Sequence, residues 1–555
     1  MLQLKTIDTD VLVIGSGAAG LSAAAYAAQQ QKNVLVLDKG AVGRSGSSVG
    51  AVQIAGLGDW SHEDDGIDSY LNDINESGRG LSDPELTQTL AEEIDVSLNH
   101  LIEWGLKLDK NENKEVAVSH TSGHSLPRSI SAKKGKTGLG ILHALRRKAT
   151  KDENIHTWSD VITLELVKSS ERVVGAIVFD LTDNHLYFIQ SKATILATGG
   201  AGQLYPTTSN PVQSTSDGFS LGLGAGATLV DMEQVQFYPV SMVAPHSIAG
   251  FCISFYHYSK LYNNLGERFM EKYAPNTLED ATRDKLSIAI ATEIAEGRGT
   301  ENGGLLLDAQ EEIEQVKKEF PHEHKLCRDR GVDLNTGRAE IGPAAHFMMG
   351  GVKINKEAES EVPGLFVAGE TSGGLHGGNR LGNNALSECI VFGARAGLNG
   401  AKLAEEADVP QVDPSVLEKT EAQFKQILSS AEGEYRPYEL KERIQSILGV
   451  HAGVLRNNDG LLKAQNKLEE VQKQFNQVKI TNTAYYSREV LDYIEAGHMI
   501  RTAQAIVGSA AARKESRGAH YNTDYPEQES SLQHTLVNFS DNQINIRTAP
   551  VKGGL

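Results

Sequence analysis

A glycine-rich turn near the N-terminus constrains the fold of this chain most strongly. The run Gly15-Ser16-Gly17-Ala18-Ala19-Gly20 follows an apolar segment that ends at Ile14 and precedes an alanine-rich helical stretch. Glycine is needed there because the backbone must bend sharply and approach a pyrophosphate, which the free N–H groups of the helix N-terminus bind. A second apolar segment ends at Asp38, 23 residues after Gly15, where a carboxylate can accept hydrogen bonds from a ribose. The pattern predicts a β-α-β unit of a Rossmann-like α/β domain that binds a dinucleotide.

Two later segments return the chain to the same core. They are Ala193 to Gly200 and Gly364 to Glu370, and each is an apolar strand pattern that runs into glycine. Such returns suit a long cofactor lying across the fold, and they favour FAD over NAD. A helix from Leu386 to Gly397 would direct its positive end at the flavin ring.

Composition excludes several classes of function. The formal net charge of -19 disfavours direct binding to nucleic acid or to an acidic membrane surface. No apolar run reaches the ~18 residues of a membrane span, so any membrane association is expected through partner subunits of a cytoplasmic protein. Cys252, Cys327 and Cys389 lie far apart, so neither a disulfide framework nor a zinc or iron–sulfur site is predicted, and no metal site is expected.

A chain of 555 residues is expected to form several domains. We predict an FAD-binding domain built from residues 1–235 and 343–405, with an α+β capping domain inserted at 236–342. Residues 406–525 show helical spacing and should form a helical domain, whereas 526–555 are polar and are expected to be an extended surface tail. Three alternating segments between Val161 and Gln190 predict an antiparallel meander.

Six ordered motifs give this chain a family resemblance. The string GNRLGNNALSECIVFGARAG at 378–397 resembles the flavoprotein subunit of succinate dehydrogenases and fumarate reductases, a family that includes L-aspartate oxidase and the adenylylsulfate reductase flavoprotein. The other matching segments are HSLPR at 124–128, GERFMEKYAP at 266–275, ATRD at 281–284, HFMMGGV at 346–352 and ARKESRGAHYNTDYP at 512–526. The resemblance covers most of the chain.

The resemblance implies a set of catalytic residues. In that family an arginine of the capping domain protonates one carbon of a C=C bond while the flavin delivers hydride to the other, and a histidine and an arginine hold the substrate carboxylates. By similarity these residues are Arg283, His346 and Arg380. Arginine suits the task because its planar fork binds a carboxylate with two hydrogen bonds, and crowding or desolvation should make a guanidinium a better acid. Alternatively, Arg283 pairs with Asp284 or Glu279 on a solvated helix face.

The fingerprint and the resemblance together imply the cofactor contacts. Family members that bind FAD covalently carry a histidine where this chain has Gly46, so FAD is expected to be noncovalent. The predicted cofactor-binding residues are Gly15, Gly17, Ala18, Ala19, Gly20, Asp38, Lys39, Ser45, Gly46, Gly50, Ala197, Thr198, Gly199, Asp217, Glu370, Asn384, Ala385 and Leu386.

Two departures from the family pattern lie in the substrate pocket. A family histidine that contacts the dicarboxylate is replaced by Tyr238, which carries no charge. The segment Ile248 to Lys260 lacks the family's carboxylate contact and its Arg/Glu proton relay, and is aromatic instead. His257 or Lys260 could substitute in the relay, and the predicted substrate-binding residues are Tyr238, His257, His346 and Arg380. Such a pocket should suit a carboxylate substrate whose second end is bulkier or less charged, unless the aromatic residues belong to the core of the cap.

These observations support one leading function and several alternatives. The leading one is a flavoprotein that moves two electrons between noncovalent FAD and a small carboxylate substrate, and its electron partner is expected to be a separate iron–sulfur subunit. The aromatic segment leaves open a relative of adenylylsulfate reductase that binds a nucleotide. Further alternatives are an oxidase like L-aspartate oxidase and a non-catalytic flavin protein that only transfers electrons. Arg283, His346 and Arg380 together argue against the last of these.

Overall fold

The computed structural model describes residues 4–121, 123–408, 411–429, 432–541 and 543–551. The strands are β1 Lys5–Ile14, β2 Val34–Leu37, β3 Ile54–Ala55, β4 Val118–Ser119, β5 Ser129–Ile130, β6 Ile155–Trp158, β7 Val161–Ser169, β8 Arg172–Asp180, β9 His185–Leu196, β10 Leu229–Val230, β11 Val235–Ala244, β12 Lys260–Tyr262, β13 Leu305–Asp308, β14 Ala339–Met348, β15 Gly351–Lys353, β16 Leu365–Val367, β17 Ser372–Gly373, β18 Leu455–Arg456, β19 Tyr521–Asn522, β20 Gln533–Ser540 and β21 Gln543–Pro550. The helices are α1 Ala18–Gln29, α2 Ile67–Ser77, α3 Pro84–Glu103, α4 Thr137–Ala149, α5 Asp217–Ala225, α6 Met270–Tyr273, α7 Arg283–Glu293, α8 Ile313–Glu319, α9 Pro321–Asp329, α10 Asn384–Glu406, α11 Pro414–Leu428, α12 Pro437–His451, α13 Asn458–Phe475 and α14 Arg488–Ala512. Among these helices, none combines the length and apolar character that a membrane crossing requires.

The central sheet has seven strands in the order β6-β2-β1-β9-β8-β7, and β16 also pairs with β9. Strands β2, β1, β9 and β16 are parallel, as the predicted β-α-β unit and the two returns require. The predicted meander is β7, β8 and the first half of β9. Because β9 is one continuous strand that pairs with β1 from Tyr187 to Leu196, the meander extends the cofactor-binding sheet and is not a separate unit.

Helices α1 and α10 cover one face of this sheet at close range. All but the last residue of α1 are buried, because small side chains let it pack between the sheet and α10. A Cβ atom at Gly397 of α10 would lie 2.2 Å from the carbonyl oxygen of Ala23, so glycine is required for this approach. The long α10 therefore lies across the same core as the glycine-rich turn, and its N-terminus points towards the site described below.

The capping domain is a four-stranded antiparallel sheet, in the order β11-β14-β13-β12, covered by α6 to α9. Its own apolar core includes Phe255, Leu286 and Ile341, all fully buried. The predicted boundaries 236 and 342 fall inside β11 and β14. These two long strands carry the chain into and out of the cap, so residues on them face both domains.

The C-terminal part of the chain differs from its prediction at one point. Helices α11 to α14 lie within the predicted helical segment, but residues 533–540 and 543–550 are not an extended tail. They form the antiparallel strands β20 and β21, which complete a five-stranded sheet with β10, β15 and β17. The strands form because Leu536 and Val537 are buried against β10 and α14, while the polar residues that suggested a tail face solvent on β21.

Candidate active site

The glycine-rich turn opens into a cleft at the ends of the parallel strands. Gly15 has φ +103°, and a Cβ atom there would lie 2.2 Å from the carbonyl oxygen of Ala197. Gly17 caps α1 without a side-chain hydrogen bond, and Ser48 Oγ accepts from the N–H of Ala18 at 3.2 Å. Because Gly15 and Gly17 have no Cβ atom, backbone N–H groups and the positive end of α1 face the cleft, which suits a pyrophosphate.

Asp38 and Lys39 lie at one end of this cleft. Asp38 accepts hydrogen bonds from the N–H groups of Ser16 at 3.1 Å and Gly40 at 2.8 Å, so it also holds the glycine-rich turn in place. Lys39 forms ion pairs with Asp217 at 2.8 Å and with Glu495 at 3.0 Å. Burial alone would lower the pKa of Lys39, but these two carboxylates raise it above its ordinary value. Lys39 is thus charged and joins the cleft to α14.

Most predicted cofactor-binding residues line this cleft. They are Gly15, Gly17, Ala18, Ala19, Asp38, Lys39, Ser45, Gly46, Ala197, Thr198, Gly199, Asp217 and Glu370. Gly20 instead supports the turn, since a Cβ atom there would lie 1.9 Å from the carbonyl oxygen of Gly15. Gly50 is exposed beside the loop. Asn384, Ala385 and Leu386 form the first turn of α10, which has no side-chain cap.

Glu370 is a buried acid in the cleft. Its Oε1 accepts the N–H of Met348 at 3.0 Å, which links the cleft to the end of β14. Burial raises the pKa of Glu370 to about 7, against the opposing hydrogen bond and the charge of Arg380. This carboxyl group therefore changes protonation near neutral pH.

Arg380 is a buried cation with an unused hydrogen-bond donor. Its Nη2 donates to Gln236 Oε1 at 2.9 Å, and its guanidinium carbon lies 4.6 Å from the centre of the Phe347 ring. Its Nε is buried and has no hydrogen-bond partner, and no ion pair of Arg380 with a carboxylate occurs within the described ranges. Burial and the charge of Arg283 lower the pKa of Arg380 to about 10, against the nearby carboxylates of Glu370 and Glu388, so Arg380 remains charged at neutral pH.

His346 lies on β14 next to both arginines. Its Nδ1 is 2.7 Å from Ser209 Oγ, and its ring centre is 5.4 Å from that of Tyr238. Burial, followed by the charges of Arg380 and Arg283, holds the pKa of His346 well below its ordinary value. His346 is therefore neutral, and it adds a hydrogen-bonding group beside the two cations.

Arg283 begins α7 and faces Tyr238 of β11, with its guanidinium carbon 4.9 Å from the ring centre. The alternative pairing on a solvated face is wrong, because Asp284 lies 4.0 Å from Arg79 and Glu279 pairs with Arg268. The surroundings of Arg283 also do not favour the expected increase in acidity. Burial opposes its charge, but the contacts with Tyr238 and Tyr256 raise the pKa of Arg283, and it is the pKa of Arg380 that falls.

His257 and Lys260 do not join this group. His257 is exposed, and its ring packs on Tyr258 and Phe320 at the outside of the cap. Lys260 pairs with Glu311 at 2.6 Å in a solvent-exposed contact. Neither placement supports the predicted role in substrate binding or proton transfer. The residues of the aromatic segment that face the site are instead Tyr256 and Cys252, and both interact with Arg283.

Comparison with known proteins agrees with this geometry. A family model described as an FAD binding domain matches residues 10–386, and one described as fumarate reductase flavoprotein C-term matches 441–554. The chain belongs to the succinate dehydrogenase and fumarate reductase flavoprotein family. FAD is its cofactor, and the chain is an FAD-dependent oxidoreductase.

Three similar proteins illustrate the family. An uncharacterized FAD-dependent oxidoreductase of Methanocaldococcus jannaschii is 36% identical, over 95% of this chain and 96% of its own. A fumarate reductase (CoM/CoB) subunit of Methanothermobacter marburgensis is 33% identical, over 97% of this chain and 98% of its own. A solved quinol-fumarate reductase with menaquinol molecules has a TM-score of 0.92 at 26% identity, over 99% of each chain.

Two residues of this flavoprotein site escaped the sequence analysis. Gln236 orients Arg380, and Ser209 orients His346. Gln236 stands two positions before Tyr238 in a segment already compared with the family, so alternation along β11 could have indicated it. Ser209 lies in an irregular loop whose sequence gives no signal of its contact with β14.

Proposed function

We propose that this flavoprotein transfers two electrons between noncovalently bound FAD and a carboxylate-bearing substrate, and exchanges those electrons with a partner iron–sulfur subunit. The observation that carries the proposal is the buried Nε of Arg380, an unpartnered donor on a cation that makes no direct ion pair in the described structure. A buried charge of this kind is costly unless a ligand neutralises it, and a carboxylate fits the arginine fork.

Each of the three site residues has a distinct task. Arg380, held by Gln236, binds the carboxylate and fixes its orientation. Neutral His346 donates or accepts a hydrogen bond through the ring nitrogen that Ser209 does not use. Arg283 is poised to supply a proton to the substrate carbon, and FAD when bound supplies or removes the two electrons. Because the pKa of Arg283 is raised before substrate binds, proton donation requires a further positive charge or a developing carbanion to make its release favourable.

The opposite side of the pocket favours a neutral group. Tyr238 is 6% exposed, its OH donates to the carbonyl oxygen of Ile253 at 3.3 Å, and Tyr256 meets it edge to face at 6.4 Å between ring centres. Burial raises the pKa of the Cys252 thiol to about 11, so this group is neutral too. On the Tyr238 side of the pocket, a second carboxylate could pair only with Arg283. The proposed substrate therefore carries one carboxylate and an uncharged second end.

The partner part of the proposal follows from the relatives and from the cysteines. The fumarate reductase relative is named as one subunit of its enzyme, so it works within a complex. In this chain the three cysteines are free, and they are too dispersed to hold a cluster. A one-electron carrier would then have to be supplied by another protein.

The proposal is tested by reducing the FAD anaerobically and mixing it with fumarate, crotonate or cinnamate in a stopped-flow instrument. We expect at least one unsaturated carboxylate to restore the oxidised flavin spectrum, and saturated analogues to have no effect. Arg283→Lys should abolish the reaction. Arg338→Lys is the matched control, because Arg338 also lies over a tyrosine ring of the cap, at 4.3 Å from Tyr262, but on the surface.

Two results would contradict the proposal. One is full activity of Arg283→Lys with every accepted substrate. The other is no response to any carboxylate together with a spectral adduct on addition of sulfite and AMP, which would favour the nucleotide-binding alternative.

A further inference from the structure

A cluster of positive charge lies beside residues 45–48, which line the FAD cleft. Residues 133–151 contain seven Lys and Arg residues and no Asp or Glu, although the whole chain has a net charge of -19. We call six residues of this surface the basic face: Arg44, Lys133, Lys134, Lys136, Arg146 and Arg147. All are exposed except Arg146, which is half-buried.

Three of the six residues, Arg44, Lys133 and Arg146, lie around His143. The imidazole of His143 reports this: burial and the nearby charges of Lys133, Arg146 and Arg44 lower its pKa, and its Nδ1 lies 2.6 Å from Lys133 Nζ. None of the six residues forms an ion pair within the part of the chain that the structure describes. One carboxylate, Asp109, lies beneath the loop, but it accepts hydrogen bonds from the backbone and from Ser131.

The loop that lines the cleft contacts the start of α4, the helix that carries part of the basic face. Ser45, Gly46, Ser47 and Ser48 line the cleft, and Ser47 is also exposed to solvent. The first turn of α4 packs directly on this loop, since a Cβ atom at Gly138 would lie 1.7 Å from the carbonyl oxygen of Ser48. Val52, 57% exposed, is an apolar residue among the charges. An electron carrier bound here would therefore be separated from the cofactor mainly by this loop. Closeness matters because the rate of electron transfer falls steeply with distance.

We propose that the basic face is the surface on which an acidic electron-transfer protein docks to exchange electrons with FAD. This inference rests on the proposed function, whose partner it characterises by charge. The docked iron–sulfur partner takes two electrons, one at a time, from the two-electron-reduced cofactor, and the two protons pass to solvent. Complementary charge raises association rates and orients the partner, and both effects weaken with salt.

The test uses the intact holoenzyme with FAD reduced anaerobically, and two inorganic one-electron oxidants of opposite charge. Ferricyanide, the anion, should reoxidise the flavin faster at low salt than at high salt. Hexaammineruthenium(III), the cation, should reoxidise it more slowly at low salt than at high salt. The double variant Lys133→Glu/Arg147→Glu should slow ferricyanide about tenfold and accelerate the ruthenium complex. The control Lys402→Glu/Lys473→Glu makes the same change of charge on exposed residues of α10 and α13 and should have little effect.

A second measurement does not depend on the flavin. A fluorescein-labelled deca-glutamate peptide should bind at low salt, and the Lys133→Glu/Arg147→Glu variant should bind it about tenfold more weakly than the control variant does. Equal oxidant rates and equal peptide binding in both variants would overturn the inference. So would binding to phosphatidylglycerol vesicles that depends on the basic face, since the face would then serve a membrane. Failure of the proposed function would give a different result. The reduced flavin would then not react with carboxylates, but the rates with the two inorganic oxidants would still depend on the charge of the basic face.

Discussion

The guanidinium carbon of Arg283 lies 4.9 Å from the centre of the Tyr238 ring. A desolvated cation–π contact is worth roughly 1–2 kcal/mol, and here it holds the cation whose proton the proposed reaction uses. We predict that Tyr238→Leu lowers the rate of flavin reoxidation by the accepted carboxylate about tenfold. Tyr238→Phe keeps the ring and should stay within about twofold of the wild-type rate. Equal loss in both variants would show that the hydroxyl, not the ring, is required.

Gln236 is predicted to control substrate affinity through Arg380. Because Gln236 accepts a hydrogen bond from Arg380 at 2.9 Å, Gln236→Leu should free the guanidinium to rotate away from its binding position. A hydrogen bond to a charged group contributes roughly 1.5–3 kcal/mol, so the dissociation constant for the carboxylate should rise about ten- to a hundredfold. Gln445→Leu, which removes a hydrogen bond from α12 to the backbone carbonyl oxygen of Gln203, should leave affinity unchanged. An unchanged dissociation constant in Gln236→Leu would rule out this role.

Glu370 is predicted to make the stability of the cofactor-free protein depend on pH. Its pKa is raised by burial from 4.5 to about 7, so between these values the folded state holds a proton that the unfolded chain has released. The free energy of unfolding should therefore fall as pH rises from about 4.5 to 7, by roughly 3 kcal/mol in total, and level off above. Urea titration should be used to compare the free energy of unfolding of Glu370→Gln with that of the wild type. Relative to wild type, the variant should be less destabilised, or more stabilised, at pH 8 than at pH 5. A pH-independent difference between the two proteins would contradict the assignment.

FAD is predicted to leave the protein on acid precipitation. Gly46 lines the cleft where covalent members carry histidine, and it offers no side chain to bond. All of the yellow colour should appear in the supernatant, and flavin retained in the washed precipitate would contradict noncovalent binding. Gly15→Ala provides the opposite check, because its Cβ would meet the Ala197 carbonyl oxygen at 2.2 Å. That variant should be purified without flavin.

The sequence was informative where local chemistry repeats a pattern. Gly15, Asp38 and the two returning strands predicted the parallel core, because each step depends on residues close together in sequence. It failed at β20 and β21, where burial of Leu536 and Val537 depends on partners about 300 residues away on β10. Polar composition alone could not reveal that pairing.

The candidate site shows the same limit. Family motifs located Arg283, His346 and Arg380, which the structure brings together. They did not show which residues of the aromatic segment turn inwards, because the irregular backbone between Cys252 and Lys260 has no period from which a face can be read. Tyr256 faces Arg283, whereas its neighbour His257 faces solvent.

The central claim is that the pocket binds one carboxylate at Arg380 and a neutral group at Tyr238. It is tested most directly by titrating the oxidised holoenzyme with 3-phenylpropionate, succinate and 3-phenylpropanol while the flavin absorption spectrum is recorded. The account predicts that phenylpropionate perturbs the spectrum at lower concentration than succinate, that phenylpropanol has no effect, and that Arg380→Gln loses the response. Equal responses to the acid and the alcohol, or tighter binding of succinate, would contradict it.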